Sequence, residues 1–433
     1  MLASQLLAAS ASAEVAEHAG HGGMMMSSAG PDPAMPAPAP SLLDLEEMRN
    51  ASGTAWQPAA TPHAALHAKA AGFDLMLHGL LFGAYAAETS NRGNNEPFGV
   101  GWIMGMASRR LGTSTVTARV MLSPEPWSAG YRNGGYPLPL QTGESFHGEP
   151  LHDRQHPHDL FMETALLYTQ ELGTEVALQL YAAPAGEPAL GPVAFPHRAS
   201  AVSLPLATLS HHWQDSAHIS FGVVSLGLLT RFAKLEASWF NGREPDERRE
   251  DFDLAKPDSY AVRLSLAPGA AWSGQVSYGH LKAPEQLRPD VSVHRITASL
   301  MHGRAFGAQG HWASSAIFGA NKEKGESLSP SFLVETNLDL DGVNTVFGRA
   351  ELVQKSGFDL VLAPSLDDTH LWLGSLALGY LRNFGPVAHV LPGLGVMGEV
   401  DEVPGTVEPY YGTRWPLVGL LFLRIAVAPM HHG

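Results

Sequence analysis

From Gly72 to the C-terminus, apolar and polar residues alternate with a period of two, the signature of half-buried strands. Phe73, Leu75, Leu77 and Leu81 share one face of the first segment, and Asp74, Met76 and His78 share the other. Val116, Ala118, Val120 and Leu122 oppose Thr115, Thr117, Arg119 and Met121 in the same way. Val176, Leu178 and Leu180 oppose Glu175, Gln179 and Tyr181, and Leu235, Ala237 and Trp239 oppose Lys234, Glu236 and Ser238. Ser259–Ala267 and Ala271–Leu281 read as a hairpin turned at Pro268-Gly269, and Thr413–Ala428 reads as the last strand.

The connections alternate in length. Leu111–Thr113, Leu172–Thr174, Pro268–Ala270, Asp339–Gly342 and Asn383–Pro386 are tight, whereas Glu88–Phe98, Ser123–His158, Pro184–Ser216, Asn241–Pro257, Lys282–Val291, Asn321–Pro330 and Lys355–Asp368 are long. Short periplasmic turns and long outer loops mark an outer-membrane barrel. A soluble two-sheet sandwich would share the residue alternation, but not this rhythm of connections. The pattern predicts an all-β fold, a transmembrane antiparallel β-barrel of about sixteen strands, with long extracellular loops partly folded into the lumen. Tyr260, Trp272, Tyr278, Trp372 and Tyr380 fall near strand ends, where interfacial aromatic girdles sit.

Upstream the pattern changes. Residues 1–13 are apolar and small and end in Ala11-Ser12-Ala13, which resembles a secretory signal and its cleavage site. Residues 14–70 are rich in Pro, Ala, Gly, His and Met and read as a flexible periplasmic tail. Within that tail, Ser41–Asn50 is expected to form one short helix with Ser41 as N-cap. Residues 71–433 are assigned to the barrel. The C-terminal Pro429-Met430-His431-His432-Gly433 replaces the aromatic residue with which such barrels commonly end.

Composition agrees with dispersed apolar content. Hydrophobic residues make up 45% of the 433, yet none of the apolar runs approaches the roughly 20 residues of a membrane helix. Charged residues are 16%, below the roughly 25% of soluble domains. The net charge of −15 disfavours a nucleic-acid partner and favours cations in a wet interior. With no cysteine, disulfides and thiolate metal sites are excluded. The expected partners are outer-membrane lipid and a small solute or metal ion, with homo-oligomerisation open. No enzymatic constellation stands out; Ser299 and His302 share a strand without other features of a hydrolase.

Histidine concentrates in two long links. The first carries Glu144, His147, Glu149, His152, Asp153, His156, His158 and Asp159; the second carries His197, His211, His212, Asp215 and His218. Imidazole with carboxylate suits zinc or divalent copper, but the same residues can form a hydrogen-bonded plug without metal. His147, His152, His156, His158, His211 and His212 are the candidate ligands or gate residues. Strand parity also places Met76, His78, Met104, Met106 and Met121 on one interior wall, a thioether–imidazole set suited to monovalent copper or to simple gap-filling. His18, His21, Met24, Met25, Met26, Met35, Met430, His431 and His432 add to the metal-binding composition. Lys234, Glu236, Arg263, Arg295, Glu335, Arg349 and Glu351 are the expected lumen charges, read either as a porin-like constriction or as structural salt bridges.

Several segments carry a resemblance. Ser52–Pro58, Gly134-Gly135-Tyr136-Pro137, Gln141–Glu144, Asp153-Arg154-Gln155-His156-Pro157-His158-Asp159-Leu160-Phe161-Met162-Glu163 and Phe240–Glu247 resemble an uncharacterised family of bacterial outer-membrane barrels. The resemblance runs from about Ala51 onward. It implies a setting of copper and heavy-metal resistance in the outer membrane of a Gram-negative-type bacterium. The combined expectation is a porin-like channel passing or sequestering copper. The alternatives are a general porin for small organic or anionic solutes, and a plugged barrel acting as scaffold or adhesin.

Overall fold

Strand pairing accounts for the architecture. In the computed structural model, which describes residues 39–428, sixteen antiparallel strands close into a barrel. Successive strands pair with their sequence neighbours from Phe73–Glu88 to Leu417–Val427. The last strand then closes on the first, from Leu80↔Ala426 to Glu88↔Val418. The lower half of the first strand pairs instead with Leu66–Ala70, which doubles back through a turn at Ala71 and Gly72, both at positive φ. The signal-like segment and the histidines and methionines of residues 18–35 and 430–432 lie outside the described residues.

The expected outward face is exposed around the wall. Leu180, Leu226, Leu264, Val276, Val334, Leu378 and Leu421 all point away from the interior. In water this belt would far exceed the apolar patch a soluble protein tolerates; hydrocarbon covers it. Tyr260, Trp272, Tyr278, Trp372 and Tyr380 are exposed on the same surface, as interfacial aromatics should be. The inner face is polar along most of the wall, where Ser225, Ser238, Ser265, Ser277, Thr297 and Ser315 are buried.

These polar residues are buried because the lumen is filled. Residues 40–65 enter it, led by helix α1 (Leu42–Arg49), whose Ser41 cap exchanges hydrogen bonds with Asp44 in a capping box. The expected helix is therefore present, and over its described part the segment read as a flexible tail is packed instead: Leu42, Ser52, Thr54, Ala55 and Trp56 are buried, and Leu66–Ala70 is a strand. Two long links complete the filling. The link over 123–160 carries the short helix α2 (Glu125–Ser128), and the link over 187–219 carries α3 (His211–Gln214). Phe195, Leu204, Leu206 and Leu209 of the second pack on an apolar stretch of inner wall containing Leu80, Phe82, Trp102, Phe347 and Phe422. The plug thus has a hydrophobic core on one side and a polar seam on the other.

Candidate functional site

The interior charges form that seam. Arg198, wholly buried, donates to Asp215 and Glu335 at 2.6 Å each, and Arg349 donates to Glu335 at 3.1 Å. Lys234 donates to Glu46 of α1 at 3.0 Å and to the Thr54 carbonyl at 2.5 Å. Arg263 donates to Glu236 and to the Thr54 hydroxyl. Glu351 accepts from the Leu209 and Ser210 amides and the Ser210 hydroxyl, while Arg295 donates to Ser216 and Asn321. The expected lumen charges therefore face inward, but they bind the plug; the constriction reading is corrected to the salt-bridge reading. Buried carboxylates and guanidinium groups are costly to leave unpaired, and Lys234, Arg263, Arg295, Glu335, Arg349 and Glu351 each have a partner in the plug.

The segment Asp153–Asp159 ties the first link together. Asp153 accepts from the Leu140 amide, the Tyr411 hydroxyl and His152 Nδ1. Arg154 donates to Glu96 and to the Gly135 carbonyl, Gln155 accepts from Gln141, and Asp159 accepts from Arg249. His156 and His158 flank Pro157 yet serve different neighbours. His158 Nδ1 lies 2.9 Å from Glu125 of α2. His156 Nε2 lies 2.8 Å from Glu144.

The histidines divide into three fates. His156 and His212 converge on Glu144, with His212 Nε2 at 3.7 Å from it and Nδ1 at 3.0 Å from Glu244. His158, His211 and His218 form a second group with ring centroids 5.1 and 5.2 Å apart around His218, and His211 is held by Asp215 at 2.7 Å. His147 and His152 join neither: the His147 side chain is 78% exposed, and His152 rests on Asp153. Burial lowers His156, His211 and His212 to about 4, which keeps their imidazoles neutral near pH 7.

On the opposite part of the wall, strand register sets the soft side chains in rows. Met121 pairs with Met104, and Met104 with His78. One step along, Arg119 pairs with Met106, and Met106 with Met76. His78 Nε2 lies 3.1 Å from Met104 Sδ. Trp102 sits between two imidazoles, edge-on to His78 at 5.0 Å and tilted against His197 of the plug at 4.3 Å. Thioether and imidazole donors without thiolate fit monovalent copper. His197 Nε2 is enclosed without a hydrogen-bond partner, so a further nitrogen is available beside this wall.

Glu125 and Glu244 are the partners that sequence reasoning missed. Glu244 belongs to the quoted segment Phe240–Glu247, which was the available signal. Glu125 sits in an ordinary Pro-Glu-Pro turn with none.

No family model matches the chain, and no curated protein matches it. OprB of Pseudomonas putida is similar in structure, with a TM-score of 0.52, 10% identity, and coverage of 82% of this chain and 94% of that one. An anion-selective porin from Comamonas acidovorans has a TM-score of 0.48 at 8% identity, covering 82% and 99%. OmpF of Salmonella typhi has a TM-score of 0.49 at 8% identity, covering 83% and 100%. The OprB likeness shows a shared barrel and, at that identity, nothing of its solute. Sixteen strands, a closed ring and an apolar outer belt make this chain a porin-like β-barrel of the outer membrane.

Proposed function

We propose that the protein is a plugged porin-like channel whose substrate is copper, taken up as the monovalent ion by the Met76, His78, Met104, Met106 and Met121 wall. The observation that carries this reading is the cross-strand row Met121–Met104–His78, closed by a 3.1 Å Nε2···Sδ approach. Three strands must be in one register to assemble it, and the donors are those that monovalent copper prefers. A channel needs sites weak enough to release the ion, and neutral thioethers supply that. The overall charge of −15 favours a cation at the mouth. Because plug and wall are joined by ion pairs, passage along this wall requires the 187–219 link to shift.

The test is monovalent copper titration of the purified full-length barrel, wild type against Met104→Leu/Met121→Leu. Terminal histidines and methionines are common to both proteins and cancel. One equivalent fewer in the variant supports the reading; equal stoichiometry and affinity refute it. A second reading, a permanently closed scaffold, is favoured by the wholly buried Arg198 and Lys234. It predicts binding without passage.

A further inference from the structure

The cluster at Glu144 has features that the copper wall does not explain. It unites four side chains from three separate links. Glu144 lies in the hairpin strand Glu144–Phe146, His156 in the same 123–160 link, His212 in α3, and Glu244 in the link between Ala233–Asn241 and Ser259–Leu266. One donor atom each from Glu144, His156 and His212 lies within 4.8 Å of the others. His212 is 5% exposed and its Nε2, aimed at Glu144, has no hydrogen-bond partner. The approach is close enough that a Cβ on Gly143, at φ +108°, would lie 2.9 Å from the His212 ring. Space at this position has been kept clear for the imidazole.

We propose that Glu144, His156 and His212 bind one borderline divalent cation, of the zinc or divalent copper class, with Glu244 orienting His212 through Nδ1, so that the ion fastens the three links together at the mouth of the plug. Two imidazoles and one carboxylate are a donor set for such ions, and water can complete the tetrahedron. Glu244 Oε1 lies 3.0 Å from His212 Nδ1, and a carboxylate on that nitrogen fixes the ring with Nε2 turned toward Glu144. Arg249, with Nη2 3.9 Å from Glu144, supplies one positive charge at the rim. It also donates to Asp159, which leaves the inner side of Glu144 facing the histidines. A divalent ion held by Glu144 and His156 would give His212 Nε2 its missing partner.

This site is independent of the copper wall, and its test separates the two. Zinc is titrated into the full-length barrel in competition with a chromophoric chelator, for wild type, Glu144→Gln, Glu244→Gln and Asp251→Asn. Asp251 belongs to an exposed acidic group with Asp246 and Asp253 and controls for binding by surface carboxylates. Heat-modifiable migration on gels certifies that each barrel has folded. The expected result is one tight equivalent in wild type and in Asp251→Asn, weakened at least about tenfold in Glu144→Gln and Glu244→Gln. Met104→Leu/Met121→Leu retains it. Bound zinc should also slow proteolysis within residues 242–258. The proposal is overturned if folded wild type binds no zinc above background. It is equally overturned if both glutamate variants bind as wild type, or if Asp251→Asn alone loses the ion.

Discussion

At the scale of single residues, the interior is governed by the cost of buried charge. Arg198 is the centre of the polar seam, with Asp215 and Glu335 each 2.6 Å away. Arg198→Met should strip both carboxylates of their partner and cost about 3–5 kcal/mol. Because the Glu335 contact joins plug to wall and the Asp215 contact braces the plug itself, the first effect expected is plug release. Planar-bilayer recordings should show larger or noisier conductance, with the barrel still heat-modifiable; an unchanged conductance would contradict the seam's role. Gly143→Ala, strained at φ +108° and aimed at His212, should displace that ring and lower the thermal midpoint of the plug. Glu187 gives a pH dependence. It is buried at the end of its strand, facing Arg263 at 3.7 Å with Glu163 and Asp215 nearby. Burial raises it to about 8, against an ordinary 4.5. The folded state therefore keeps a proton that the unfolded state has released, and stability falls as pH rises from about 4.5 to about 8. Denaturant midpoints between pH 5 and pH 8.5 should show this decline, and Glu187→Gln should reduce it.

At the scale of elements, α1 and the residues following it are a removable stopper. Glu46, Thr54 and Trp56 supply partners to Lys234, Arg263 and Gln179. Deleting residues 40–60 should therefore open the side of the lumen between Ala177–Gly186 and Trp272–Lys282 without unpairing a barrel strand. The expected readout is a raised conductance at normal heat-modifiability. The wall's alternation, its named tight turns and the Ser41 cap were legible from the sequence, because alternation and capping are local rules; the strand Leu66–Ala70 was not. Parity alone placed Met76, His78, Met104, Met106 and Met121 on one inner wall. The role of residues 40–65 was not legible, since Pro- and Ala-rich composition masks Leu42 and Trp56, whose burial depends on wall residues more than a hundred positions away. Which histidines converge was not legible for the same reason. His147 stays exposed and His152 rests on the adjacent Asp153, whereas the loop path buries His156 against Glu144.

At the scale of the whole molecule, two demands meet in one barrel. The outer belt fits the membrane whatever the lumen does, while the inside is split between a polar seam that holds the plug and a soft wall of thioether and imidazole. Copper passage along that wall is the central claim. It is tested most directly by copper entry into proteoliposomes holding the full-length protein and a trapped monovalent-copper chelator, under reducing conditions. Wild type should admit copper well above empty liposomes, and Met104→Leu/Met121→Leu should lose most of that flux with potassium conductance unchanged. Copper entry no greater than in empty liposomes, or equal in wild type and variant, would contradict the account.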